Sequence, residues 1–219
     1  MTSDSIEQPR KSPGFFILVR HGETPANVGN TFRGRTDSPL NENGKAQAEA
    51  VAARIAREWQ PKAVYASPVY RAMQTAQAIA ERCALTVTAH PGLIDIDFGE
   101  WTGLPMDEVS RRWPVEFDQW IHHPGQLKLP GGESLGVLRE RAQATMQELA
   151  ARHAGESVVL VGHNVSNRAI LMETLGIADD QFWYIGQDNC AINVIRTEIN
   201  GRFSLLSLND TCHLPKDHR

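Results

Sequence analysis

The chain has 219 residues, 41% of them hydrophobic and 22% charged, with a formal net charge of -4. That length suits one compact domain with a sizeable core, and the ordinary composition excludes collagenous, coiled-coil and disordered classes. The mildly acidic balance argues against a general nucleic-acid binder, which needs a basic face, and no run of ~18 apolar residues is present to span a membrane. The three cysteines, Cys83, Cys190 and Cys212, are odd in number and form no CxxC pair. They favour neither a zinc site nor a disulfide framework, and a reducing, cytoplasmic compartment is expected.

The polar segment 1–13 lacks an apolar stretch and reads as a disordered tail rather than a secretory signal. Residues 15–19 (FFILV) form a continuous apolar run, the mark of a strand buried on both faces. A polar loop through Pro39 follows. Asn41 then caps a helix whose Ala48, Val51, Ala52 and Ile55 share one face up to about Arg57. Residues 63–66 form a short strand. Ser67-Pro68 reads as a serine cap with proline in the first turn, opening a helix through Ala72, Ala76, Ile79 and Ala80. Another strand is expected over 85–89, and a helix over 107–113 that Pro114 limits. The rest of 104–130 reads as an irregular excursion.

Ser134 caps a further helix carrying Leu135, Leu138, Ala142, Met146 and Leu149 on one face. Residues 157–161 (SVVLV) are a second fully apolar strand. A helix over 166–175 closes at Gly176, and Asn200-Gly201 joins two apolar runs, 192–199 and 203–208, as a hairpin. Strands alternating with helices imply an α/β sandwich with a mainly parallel sheet. One domain over 14–213 is expected, with 214–219 as a C-terminal tail.

In such folds ligands sit beyond the carboxyl ends of strands. That rule singles out Arg20-His21-Gly22 after the first strand, Ser67 onward after the second, and Gly162-His163-Asn164 after the apolar strand at 157–161. Two histidines and an arginine at one sheet edge suit a phosphoryl group. Arginine matches phosphate oxygens with a planar fork. A neutral imidazole can attack phosphorus, and a second, protonated one can offset charge on the equatorial oxygens. An isolated strand-end histidine is more often a structural hydrogen-bonding residue, so Arg-His-Gly alone would decide little.

The longer motifs resemble the histidine phosphatase superfamily, which includes cofactor-dependent phosphoglycerate mutase. LVRHGET with Asn27, RGRTDSPLNENGKAQA, SPVYRAMQTA, LIDIDFGEWTG, LPGGES and VGHN occur in the family's order over 15–208. The resemblance implies a three-layer αβα sandwich of the phosphoglycerate mutase-like kind, with 104–130 passing over the active site. It implies that His21 becomes a phosphohistidine, that Arg20, Arg71, Asn27 and His163 bind the phosphate, and that Arg33, Gly34 and Asn164 meet the substrate. Arg71 also has an independent rationale, since a helix N-terminus favours an anion. The acid position departs from the family's usual glutamate: Leu93-Ile94-Asp95 places an aspartate there, with Asp97 and Glu100 as nearby alternatives.

The expected activity is hydrolysis of a small phosphomonoester, and the expected partner is a small phosphorylated metabolite. Mutases of the family carry a longer, basic insertion, whereas 103–130 here is short, with Arg111, Arg112 and Lys128 its only Lys or Arg residues. A mutase using 2,3-bisphosphoglycerate is the alternative, and a non-catalytic phosphate-ligand module a remote one. No cofactor is expected for a phosphatase, and no metal: His122 and His123 are adjacent and lack an acidic partner at ligand spacing. Trp101, Trp113 and Trp120 are expected to pack in the core before forming a substrate wall. A homodimer stays open.

Overall fold

The computed structural model describes residues 13–198 and 201–215. Six strands form one sheet: β1 (Gly14–Arg20), β2 (Ala63–Ala66), β3 (Val87–Ala89), β4 (Ser157–Gly162), β5 (Ile192–Thr197) and β6 (Phe203–Asp210). Their order is β3-β2-β4-β1-β5-β6. β3, β2, β4 and β1 are mutually parallel, whereas β1 with β5 and β5 with β6 pair antiparallel. The sheet is therefore mixed, with the expected parallel part at its centre. β5 and β6 pair as the expected hairpin; its residues 199 and 200 lie outside the described residues, as does 1–12 of the expected tail.

Strand alternation divides the core in two. Ile17, Val19, Val64, Ala66, Val159 and Val161 point to one face, against Val51, Ala52 and Ile55 of α2 (Glu42–Glu58, the short α1 being Pro25–Val28) and Ala72, Ala76 and Ile79 of α3 (Tyr70–Arg82). Phe16, Leu18, Tyr65, Val158 and Leu160 point to the other. There they meet α6 (Leu135–Arg152) and α7 (Asn164–Leu175), beyond α4 (Met106–Arg112) and α5 (Pro114–His122). This is the three-layer αβα arrangement. Phe16 through Val19 are 0% exposed, and burying each such side chain contributes roughly 1.5–3 kcal/mol.

Asn41 caps α2 as expected, accepting from the Gly44 backbone N–H at 2.7 Å. Four boundaries differ. α3 begins at Tyr70 with Val69 rather than Ser67 at its N-cap; the Ser67 hydroxyl accepts from the Val69 N–H at 3.3 Å and lies 2.7 Å from His163 Nε2. Pro114 opens α5 rather than ending ordered structure: proline at N1 loses no helical hydrogen bond. α7 starts at Asn164 with His163 as its N-cap, two residues before the start expected at Ser166. β3 covers 87–89 only. Finally, Leu214, placed in the C-terminal tail by sequence, is 3% exposed and packs with Ile17 and Val51 in the core. No helix among the described residues is long and apolar enough to cross a membrane.

Candidate active site

Register brings the two histidines together. Arg20 pairs with Gly162 as the last partners of β1 and β4, so His21 and His163 leave neighbouring strands side by side. Their ring centroids are 5.2 Å apart. Ser67 follows β2 on the other side of β4, and its Oγ lies 2.7 Å from His163 Nε2. The His163 Nδ1 is thereby left toward the site, 3.9 Å from Asp95 Oδ2.

The tautomer of His21 follows from its partners. Nδ1 lies 2.7 Å from the Gly22 carbonyl, which can only accept, so Nδ1 carries the proton. Arg71 Nε, which can only donate, lies 3.1 Å from Nε2, so Nε2 holds a lone pair. Burial, then Arg71 and Arg20, hold His21 well below its ordinary pKa. The ring is neutral with its nucleophilic nitrogen facing the guanidinium.

Burial also dominates at His163, with Arg71, His21 and Arg20 adding to it, and its pKa too falls well below the ordinary value. This corrects the expectation of a standing imidazolium: beside two buried arginines, a third positive charge is disfavoured.

Arg71, second residue of α3, also donates to the carbonyls of Thr36 and Gly34, both at 2.8 Å. Gly34 has φ +50°, and a β-carbon there would come 2.7 Å from the Ile96 carbonyl oxygen. Glycine is what lets this loop turn its carbonyl toward Arg71. Arg20 donates from Nη1 to the Gln187 carbonyl at 2.6 Å, and its Nε is buried without a partner among the described residues. Burial lowers its pKa to about 10, so it remains a cation at neutral pH.

Asp95 is 6% exposed, with Oδ2 3.5 Å from Arg71 Nη2 and Oδ1 without a hydrogen-bond partner among the described residues. Burial outweighs the pull of Arg71 and Arg20 and raises its carboxyl to about 6. Of the two alternatives, Asp97 is turned outward toward Arg35 at 3.4 Å, and Glu100 is exposed. Only Asp95 joins Arg20, His21 and Arg71 in lining a cavity of about 360 Å3.

Asn27, Arg33, Gly34 and Asn164 line the same cavity. Asn27 Oδ1 accepts from the backbone N–H and hydroxyl of Thr24, both at 2.9 Å, leaving its amide NH2 to face a ligand. Arg33 Nε is a further buried, unpartnered donor. Unpartnered polar atoms cost stability, and on Arg20, Arg33 and Asp95 they gather around one cavity. His163 is 0% exposed and sits behind the wall.

Some of the wall was not foreseen. Met106 and Trp120, from the 104–130 excursion, line the cavity with Phe98 and Trp183. The excursion is helical where irregular structure was expected. Trp101 is core, as expected, whereas Trp120 serves both roles. Trp183 donates from Nε1 to the Trp120 carbonyl at 2.8 Å, and the Arg168 guanidinium lies 4.9 Å from the Trp183 ring centre. Arg168 also donates to Asn164 Oδ1. The i,i+4 spacing of Asn164 and Arg168 on a helix is the one sequence signal that could have revealed this support. Among the described residues, no three His, Cys, Asp or Glu side chains converge as a cation site; the local positive charge is carried by guanidinium groups.

A sequence profile of the histidine phosphatase superfamily (branch 1) matches residues 16–211. Phosphoserine phosphatase 1 of Hydrogenobacter thermophilus is 38% identical over 198 residues, covering 90% of this chain and 93% of that protein. A metal-independent phosphoserine phosphatase of Arabidopsis thaliana is 37% identical, over 71% of this chain and 66% of that one. Among solved structures, a phosphoserine phosphatase mutant from Entamoeba histolytica in complex with phosphoserine has a TM-score of 0.84 and 26% identity, over 92% of this chain and 100% of that chain. With a profile spanning both histidines, both arginines and Asp95, this chain belongs to branch 1 of the histidine phosphatase superfamily.

Proposed function

We propose that the protein hydrolyses a small phosphomonoester through a phosphohistidine at Nε2 of His21, with Asp95 as the proton donor. The carrying observation is the fixed His21 tautomer beside a buried carboxyl whose pKa lies near 6. As the phosphoryl group arrives, Arg71 releases the Nε2 lone pair and donates to phosphoryl oxygens together with Arg20 and the Asn27 amide. Nε2 attacks phosphorus, the bond to the ester oxygen breaks, and the Asp95 proton passes to that oxygen as the alcohol leaves. Water then attacks the phosphohistidine. Asp95, now a carboxylate, takes the water's proton, the P–N bond breaks, and inorganic phosphate departs.

A bound phosphate dianion changes the balance at His163, because negative charge favours the protonated ring that the arginines alone disfavour. Once protonated, His163 can present Nδ1–H to the phosphoryl group while Ser67 holds Nε2. Phe98, Met106, Trp120 and Trp183 offer the leaving group an apolar wall. The relatives named for phosphoserine make that compound the first substrate to test.

Water, rather than a second hydroxyl, is the acceptor in this reading. Arg111 and Arg112 are exposed and do not line the cavity, and Arg112 is engaged with Glu108 at 3.2 Å and the Trp113 ring. Lys128 lines a separate depression beside Glu133. The test is a panel of phosphorylated metabolites, assayed with and without 2,3-bisphosphoglycerate and with EDTA. Release of inorganic phosphate that needs no bisphosphoglycerate and survives EDTA is expected, since Arg20 and Arg71 supply the charge a metal would bring. Transfer to a second hydroxyl would establish the mutase, and failure on every ester, including an aryl phosphate, the binding module. The three free cysteines fit a reducing, cytoplasmic setting.

A further inference from the structure

Asp95 reaches the site on a side chain one methylene shorter than the family's glutamate, so its reach depends on where its main chain is held. That main chain lies between two single 3-10 turns, Pro91–Leu93 and Gly99–Trp101, and belongs to no helix or strand. It is held from behind. Arg141 of α6 donates from Nη1 to the carbonyls of Gly92 at 3.1 Å and Ile94 at 2.7 Å. Arg35 donates from Nε to the Asp95 carbonyl at 3.2 Å. Glu133 accepts from the Asp97 N–H at 3.4 Å, and its own N–H donates to the Asp97 carbonyl at 2.9 Å.

The three side chains are tied to one another. The Glu133 carboxylate, 9% exposed, takes both Nη2 contacts of Arg141, at 2.8 and 3.1 Å, and Arg35 Nη2 at 3.2 Å. One carboxylate thus joins two arginines that grip the carbonyls on either side of the Asp95 side chain. None of the three lines the cavity that holds His21.

We propose that Arg141, Glu133 and Arg35 form a clamp that sets the reach of the Asp95 carboxyl, and so act as positioning residues for proton transfer to the leaving oxygen. The proposal rests on the reading of Asp95 as the acid. Misplacing a catalytic group by about 1 Å can cost ~10²-fold, a large share of the ~10²- to 10⁴-fold that general acid assistance brings. A tie that merely held the loop folded would affect all substrates alike.

The experiment compares kcat/KM for phosphoserine, an alkyl phosphate whose leaving oxygen needs a proton, with that for p-nitrophenyl phosphate, which departs without one. Arg141→Lys keeps the charge and loses the fork, and Glu133→Gln keeps the shape and loses the charge. Each is expected to lose roughly 10- to 100-fold on phosphoserine and to stay within about threefold on p-nitrophenyl phosphate. In an Asp95→Asn background the same changes are expected to add less than about threefold, since coupled residues are not additive. Should Arg141→Lys not fold, Glu133→Gln gives the same comparison. If Asp95→Asn discriminates between the substrates and the clamp variants do not, the clamp is overturned and the acid stands. If Asp95→Asn itself does not discriminate, both are overturned.

Discussion

Single side chains in this site are held in states that water would not give them. His21 is held neutral because burial, then the Arg71 and Arg20 guanidinium groups, oppose a second proton, while the Gly22 carbonyl keeps the one proton on Nδ1. Removing it takes away the nucleophile of the proposed reaction, with Arg71 still anchored by Thr36 and Gly34. His21→Ala is therefore expected to lose more than ~10³-fold in kcat with an unchanged far-ultraviolet circular dichroism spectrum. Retention of a few percent of activity would remove the nucleophile assignment. Asp95 must hold its proton to serve as an acid, and with a pKa of about 6 its protonated fraction falls as pH rises through 6. For an alkyl phosphate, kcat/KM should decline on that limb, and Asp95→Asn should flatten it. His21, Arg20 and Arg71 were legible as residues because motif order and strand ends agree on them. The charge of His163 and the role of Ser67 were not, since both depend on which side chains the sheet brings to β4 from strands far away in sequence.

At the level of elements, the loop carrying His21 rests directly on the first turn of α2. A methyl group at Gly44 would overlap the Glu23 carbonyl oxygen, two residues after the nucleophile. Helix propensity alone would favour alanine there by up to ~1 kcal/mol, but overpacking against main chain typically costs 1–3 kcal/mol or more. The clash wins. Gly44→Ala is expected to lower stability by about 2 kcal/mol in a denaturant titration and to reduce kcat as the loop shifts, whereas a stabilised, fully active variant would show the contact to be slack. Periodicity located α2, α3 and α6, because each faces a single core, and continuous apolar runs located both buried strands, because these face a core on either side. It failed at α5, where Pro114 was read as a stop although it fits the first turn, and at the 3-10 segment Asp179–Tyr184. That segment places Trp183 in the wall through tertiary packing, which no local pattern encodes.

For the whole molecule, the buried histidines couple folding to pH. The native state refuses protons at His21 and His163 that the unfolded chain accepts below about 6.5. Stability should therefore fall as pH drops through 6.5. Asp95 works in the opposite sense: its folded pKa of about 6 exceeds the ordinary 3.8, so the native state gains a proton as pH falls through 6. His213, which burial lowers to about 4, acts in the same sense as His21 and His163, so three histidines outweigh one carboxyl and a net loss of about 3 kcal/mol is expected between pH 7.5 and 5.5. Urea midpoints at the two pH values check this, and an unchanged midpoint would mean that the histidines are not held neutral. The three-layer fold was readable in outline because two apolar strands and three amphipathic helices specify it. The antiparallel β5–β6 edge made the sheet mixed, which chain order alone does not reveal.

The most direct test of the account is to trap the intermediate. Rapid quenching with a phosphorus-labelled substrate should capture one phosphoryl group per chain, acid-labile and base-stable, attached to Nε2 of His21 and absent from His21→Ala. The Gly22 carbonyl bond to Nδ1 makes Nε2 the predicted site. Label at Nδ1, label on another residue, or steady turnover with no phosphorylated protein would contradict it.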